Sequence, residues 1–259
     1  MKTFSIKQSF KKAYKSLMER KALYFGATLV AGLIVIVLGE MSDSHTTVVN
    51  TLGSIALVVF QFIITAGATQ FILKDFRKEN VTYNDFLPTN SVLKRYIKAL
   101  LKLFVKLLPF ILVAIASVLL VLSGVFGTTN FVVTIVSTFV IGVAIILIIY
   151  YIIKYYFFSY ISIEKSISAK EVMTEAEMMS NGNRLKLLLV MIIVGMLNFV
   201  GGITFIGWIF TAPISMLMVA HIYMALKGEN VAMAEETPKA EEVIAPISPA
   251  ETEQVESAS

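Results

Sequence analysis

The sequence predicts an all-α polytopic membrane protein, with six transmembrane helices and amphipathic cytoplasmic helices beside them. Three observations predict it. Of 259 residues, 57% are hydrophobic and only 15% charged, where a soluble domain carries about 25%. The charges are segregated, and Leu107–Ile153 contains no Asp, Glu, Lys or Arg. As helix that stretch would run about 70 Å, more than two bilayer cores, so it must cross more than once. Finally, Lys and Arg fall only in alternate gaps between the apolar runs.

Residues 1–21 are basic, with Phe10, Tyr14, Leu17 and Met18 spaced for one helix face. Lysines cover the rest, the pattern of an interfacial helix. A signal peptide is the competing reading, but no A-x-A site follows Leu38. Span 1 is expected over residues 22–38 and span 2 over 52–73, with Gln61 near mid-depth and Thr65, Gly67 and Thr69 beyond it. A polar segment, Lys74–Thr89, follows. In residues 91–106, Lys94, Lys98, Lys102 and Lys106 stand four apart. They drift only about 40° per step and share one face. Span 3 is placed at 107–126, because a lysine deep in hydrocarbon costs at least about 2.5 kcal/mol. Pro109 then sits in a first turn, where its missing N–H does little harm. One long helix kinked at Pro109 is an equally good description of 91–126.

The uncharged turn Gly127–Asn130 makes spans 3 and 4 an antiparallel hairpin. Span 4, 131–153, exits through Tyr150, Tyr151, Tyr155, Tyr156 and Tyr160, which read as an aromatic belt at the headgroups. Ser168-Ala-Lys-Glu171 fits a capping box, and Asn181 or Gly182 the left-handed stop. Val172, Ala176 and Met179 line one face of the helix between them. Leu187–Leu226 has no charge and, as one helix, would be about 60 Å long, twice the hydrocarbon thickness. Gly201-Gly202 divides it into span 5 (185–200) and span 6 (203–226), with Pro213 inside the latter; a re-entrant hairpin is the alternative. Residues 228–259 turn to Glu, Ala and Pro and read as a disordered acidic tail.

The net charge of +4 hides a tail of −7 and a remainder of +11. Of the 22 Lys and Arg, seven precede span 1, eight lie between spans 2 and 3, five between spans 4 and 5, and two follow span 6. With six spans, all fall on one side. The positive-inside rule makes that side the cytoplasm, with both termini there. The implied partner is the anionic cytoplasmic leaflet rather than nucleic acid. Without cysteine, disulfides, thiolate metal sites and cysteine nucleophiles are excluded.

The segment Glu171–Lys186 resembles the E-A-L-x-x-S-x-x-L-x-x-G-N-x-x-K signature of a bacterial six-span membrane family. That family includes the membrane domain attached to some glycerophosphodiester phosphodiesterases. Pro213…His221-Ile-Tyr223-Met-Ala-Leu226 is similar to the family's closing motif, and Ala66-Gly67 before a loop ending Asp85-Phe86-Leu87 to another of its features. Ala176 and Val172 stand where the signature has Ser and Ala. The resemblance implies a six-span bacterial cytoplasmic-membrane protein. The chain has no phosphodiesterase domain, so that activity is not implied.

Candidate sites are few. The Lys94, Lys98, Lys102 and Lys106 stripe either grips lipid headgroups or seats a helix end on an anionic surface. Gln61, Thr65 and His221 form a candidate intramembrane polar site; interhelical glue is the plainer reading of Gln61 and Thr65. His45 reads as a solvated loop residue, since a metal site needs three or four converging ligands. No Ser/His/Asp arrangement, H-E-x-x-H or phosphate loop occurs. No catalytic residue, metal or cofactor is expected. The expected function is a non-enzymatic scaffold or interaction module working through the cytoplasmic face, with a possible protein partner there. The alternative is a small-solute or lipid transporter with a path near Gln61 and Pro213. A further expectation is that the acidic tail covers the basic face.

Overall fold

The computed structural model describes residues 3–43, 46–77, 79, 81–125, 127 and 130–228. His45 and the tail expectations lie outside the described residues. The elements are α1 (Ile6–Glu19), α2 (Lys21–Ser42), α3 (Thr47–Phe76), α4 (Asn90–Val125), α5 (Phe131–Lys154), α6 (Phe158–Glu164), α7 (Ala169–Ser180), α8 (Arg184–Gly202) and α9 (Phe205–Lys227), with a 3₁₀ turn at Tyr83–Phe86. Six of them, α2, α3, α4, α5, α8 and α9, are long and apolar enough to cross a bilayer. The chain is a multi-pass, all-α membrane protein.

The six pair in chain order as three hairpins: α2 with α3, α4 with α5, and α8 with α9. The hairpins touch one another sparingly. Helix α9 is the exception, packing against α1, α2, α3 and α8. The core gathers at one end of the bundle. There the ends of α3, α5 and α9 meet α1, α6, α7 and the 3₁₀ turn.

Helix α4 is continuous from Asn90 through Pro109 to Val125, 36 residues and about 54 Å. The long-helix description therefore holds. Proline removes one backbone hydrogen bond, and the rest of the ladder carries the axis past it. Likewise α2 runs on through Gly39-Glu40 to Ser42, and α3 begins at Thr47. Polar ends do not stop these helices, because backbone bonds continue wherever no breaker intervenes.

Two sequence expectations are corrected. On α1 the fully or nearly buried residues are Ser9, Ala13 and Leu17, not Phe10, Tyr14 and Met18, which stay exposed. Small side chains let α1 lie closely against α9. The second correction concerns the aromatic belt. Helix α5 ends at Lys154, the chain turns at Tyr155–Phe157, and α6 folds back under the bundle. Tyr155, Phe157 and Tyr160 are core residues. Tyr160 stacks on Tyr223 of α9 at 5.2 Å and donates a hydrogen bond to the Met216 carbonyl, 3.2 Å. Only Tyr150 of the five is exposed.

The α7 cap forms as expected. Glu171 N–H donates to Ser168 Oγ (3.3 Å), and Ser168 N–H donates to the Glu171 carboxylate (2.8 Å). Accepting from the Ser168 backbone N–H, and after it from the Ser168 side chain, holds the Glu171 carboxyl below its ordinary pKa. Gly182 takes the left-handed stop, φ 78°.

One glycine is required by close approach. A Cβ at Gly67 of α3 would stand 1.7 Å from the Phe86 carbonyl oxygen. Phe86 also stacks on Phe71, 4.1 Å between centroids. The Ala66-Gly67 and Asp85-Phe86-Leu87 motifs are thus two halves of one contact, which seats the α3–α4 loop on α3.

Candidate functional site

The last turn of α3 reaches in three directions. Lys74 Nζ pairs with Asp85 Oδ1 of the 3₁₀ turn at 2.5 Å. Asp75, almost buried, pairs with Arg20 at 2.5 Å and accepts from the Tyr24 hydroxyl of α2 at 2.7 Å. Arg77 Nη2 donates to Glu164 Oε1 at 2.6 Å. These bonds tie the ends of α2, α3, α6 and the loop together.

Glu164 is the centre of the arrangement. Its carboxylate is 3% exposed. Lys227 of α9 donates to Oε1 at 2.7 Å, and the Tyr223 hydroxyl of α9 donates to Oε2. A buried carboxylate is tolerated only when paired and hydrogen-bonded, and here three donors from two helices supply that. Arg95 of α4 holds the backbone around Glu164. Its guanidinium donates to the Ser162 and Ile163 carbonyls, both 3.4 Å, and to Ser166 Oγ at 2.8 Å. It thereby satisfies the open C-terminal carbonyls of α6.

Beside this junction lies a cleft of about 230 Å³ between the end of α3, the start of α4 and α6. Gln70, Lys74, Arg77, Glu79, Thr89 and Glu164 supply its polar lining, Val92 and Ile163 apolar patches. Gln70 is 8% exposed, and its carbonyl oxygen has no hydrogen-bond partner. That is costly, roughly 1–3 kcal/mol for an unsatisfied buried polar group.

The four-lysine stripe divides. Lys94 and Lys98 are exposed, and Lys102 is half-buried. Lys106 turns inward. Its ammonium donates to the Tyr155 hydroxyl (2.5 Å) and lies 4.5 Å from that ring's centroid. The cause is register: Val92, Tyr96, Ala99 and Leu103 form the buried seam of α4, and position 106 is the next on that seam. The intramembrane candidates are also separated. Gln61 is exposed, and Thr65 bonds back to the Gln61 carbonyl at 2.7 Å. His221 is buried beside the C-terminal end of α3, away from mid-helix Gln61. Its Nε2 is 3.2 Å from Ser16 Oγ of α1 and its ring 4.4 Å from Phe76. Phe76 is fifteen residues beyond Gln61, about 22 Å along the helix. His221 and Ser16 join α1 to α9; Gln61 and Thr65 are not part of that contact.

Sequence reasoning missed Glu164, Arg95, Asp75 and Gln70. Glu164 had a signal, an acid inside the aromatic run YYFFSYISIEK. Its partners Arg77 and Lys227 are 87 and 63 residues distant, so nothing local pairs them. Among the described residues no group of three or more His, Asp or Glu could hold a metal ion.

Comparisons with protein families, curated proteins and solved structures return no match. The resemblance to the six-span bacterial family therefore rests on its motif residues.

Proposed function

We propose that the protein is a non-enzymatic module of a bacterial cytoplasmic membrane, a scaffold or interaction platform acting through its cytoplasmic face. The observation that carries this is the asymmetry of the bundle. Among the described residues every element outside the spans lies at one end, where ion pairs join α6, α7 and the 3₁₀ turn to the span ends and the Ser16–His221 contact joins α1 to α9. That end holds the basic residues, so the positive-inside rule puts it in the cytoplasm. Glu164 is engaged by three donors, and Asp75 by the Tyr24 hydroxyl and an ion pair with Arg20, an arrangement suited to holding a platform together rather than to exchanging protons with a substrate. Lys94 and Lys98 remain exposed on it, as do Phe10, Tyr14 and Met18 of α1.

The native chain has no cysteine, which makes topology directly testable. Asn130→Cys is expected to react with a membrane-impermeant thiol reagent in intact cells, and Lys98→Cys only after lysis. The reverse pattern overturns the orientation. The double variant Lys94→Glu, Lys98→Glu is expected to change the proteins cross-linked to the chain while leaving its melting temperature unchanged. An unaltered cross-linked set overturns the interaction reading.

A further inference from the structure

The cleft beside Glu164 has features that the platform does not need. Gln70 is buried there, and its carbonyl oxygen is one of several buried polar atoms without a hydrogen-bond partner and the one that belongs to the cleft lining. Replacing it by an apolar residue would cost the platform nothing visible. The lining also carries charge of both signs: Lys74 and Arg77 against Glu79 and Glu164. Lys74 uses one ammonium N–H on Asp85, and Arg77 one guanidinium N–H on Glu164. Both groups have more donors than that.

The cleft also has a particular depth. Gln70 to Arg77 are the last two turns of α3, where the apolar run ends and Lys74-Asp75 begins. In a bilayer that is headgroup level. A volume of about 230 Å³ is many times what one water needs. It is smaller than the roughly 300–1,000 Å³ of a drug-sized pocket, and so of headgroup scale.

We propose that this cleft binds a zwitterionic phosphoamine group, the headgroup of an ethanolamine phospholipid. The phosphate meets the free donors of Lys74 and Arg77. The ammonium meets Glu79, and rotation of the Gln70 side chain brings its amide oxygen, sealed from solvent in this structure, onto the same group. A purely anionic headgroup would satisfy the cations but face two carboxylates, so the balance of charge selects the zwitterion over a glycerol headgroup. The proposal requires only the bilayer placement of α3; it stands or falls separately from any protein partner.

The test uses the full chain purified in mild detergent and equilibrated with equimolar phosphatidylethanolamine and phosphatidylglycerol, with retained lipid read by native mass spectrometry. The expected result is preferential retention of the ethanolamine lipid. Gln70→Leu is expected to cut that retention about tenfold, the scale of one buried hydrogen bond, with a melting temperature equal to or above the wild type. Glu79→Lys, at an exposed position, is expected to reverse the preference toward phosphatidylglycerol. Displacement of the lipid by millimolar free phosphoethanolamine would identify the soluble compound as the source of the same group; no displacement identifies the lipid. Equal retention of both lipids in wild type and variants overturns the proposal. So does a Gln70→Leu variant that melts lower yet retains lipid normally, since Gln70 would then be structural and satisfied by water alone.

Discussion

Helices α5 and α9 are both membrane spans, and they are inverted with respect to their composition. The span containing α5 has the highest mean hydropathy of the six and that of α9 the lowest, yet only 11% of the α5 window is buried inside the protein against 61% of the α9 window. In water the most apolar helix would be inside. In lipid, hydrophobicity reports contact with acyl chains, and burial follows packing and polar contacts instead. Helix α9 carries Ser215, His221 and Tyr223, groups that need protein partners. It therefore becomes the axis on which the hairpins are hung.

The sharpest way to break this comparison is the same truncation on both helices. Leu217→Ala, at a fully buried position of α9, is expected to cost about 3 kcal/mol. Ile146→Ala, on the exposed surface of α5, should cost below about 0.5 kcal/mol. Thermal unfolding in one detergent measures both, and equal losses would refute the inversion. Next in size is Glu164→Ala, which removes the acceptor shared by Arg77, Lys227 and Tyr223. The expected loss is about 2 kcal/mol, less than for a sealed pair because Arg77 is 45% exposed. Glu164→Gln should recover part of it. Gly67→Ala drives a methyl into the Phe86 carbonyl and should cost about 1–2 kcal/mol. Proteolysis of the α3–α4 loop should quicken in that variant while α5 stays protected.

The smallest effect is pH-dependent and confined to α7. Glu171 is held below its unfolded pKa by the Ser168 cap. Its contribution is fully present above the unfolded value and disappears as pH falls through the folded one. Amide exchange at Glu171 and Val172 should therefore accelerate at the acid side of the ordinary glutamate range, and should lose that pH dependence in Glu171→Gln, whose side chain does not titrate.

What could be read from the chain follows the same division. Spans 4, 5 and 6 were legible to within a few residues, because charge-free runs and the Gly127 and Gly201 breaks mark membrane-crossing helices directly, whether they end up against lipid or inside the bundle. The Ser168–Glu171 cap and the Gly182 stop were legible because their chemistry is local. The inner contacts were not. The buried face of α1 consists of Ser9, Ala13 and Leu17, and hydrophobicity alone selects the larger Phe10 and Tyr14. The Glu164 junction assembles residues from three distant segments, and Arg95 looked like one more cation in a basic helix. Lys106 shared its spacing with three other lysines, and only the seam of α4 distinguishes it.

The central position of α9 has a consequence for the order of synthesis. Five spans leave the ribosome before it, as two complete hairpins and α8, none of which makes much contact with the others. Helix α1, which precedes all six spans in the chain, docks on α9 through a Ser16–His221 contact spanning 205 residues. Until then the earlier segments are joined to one another chiefly through α6 and α7, at Arg77–Glu164 and at Arg95. Closure comes in one late step, when Tyr223 and Lys227 reach Glu164. A chain halted before α9 would be inserted yet unassembled, with the Glu164 carboxylate missing two of its three donors, a state that membrane quality control could distinguish from the finished protein.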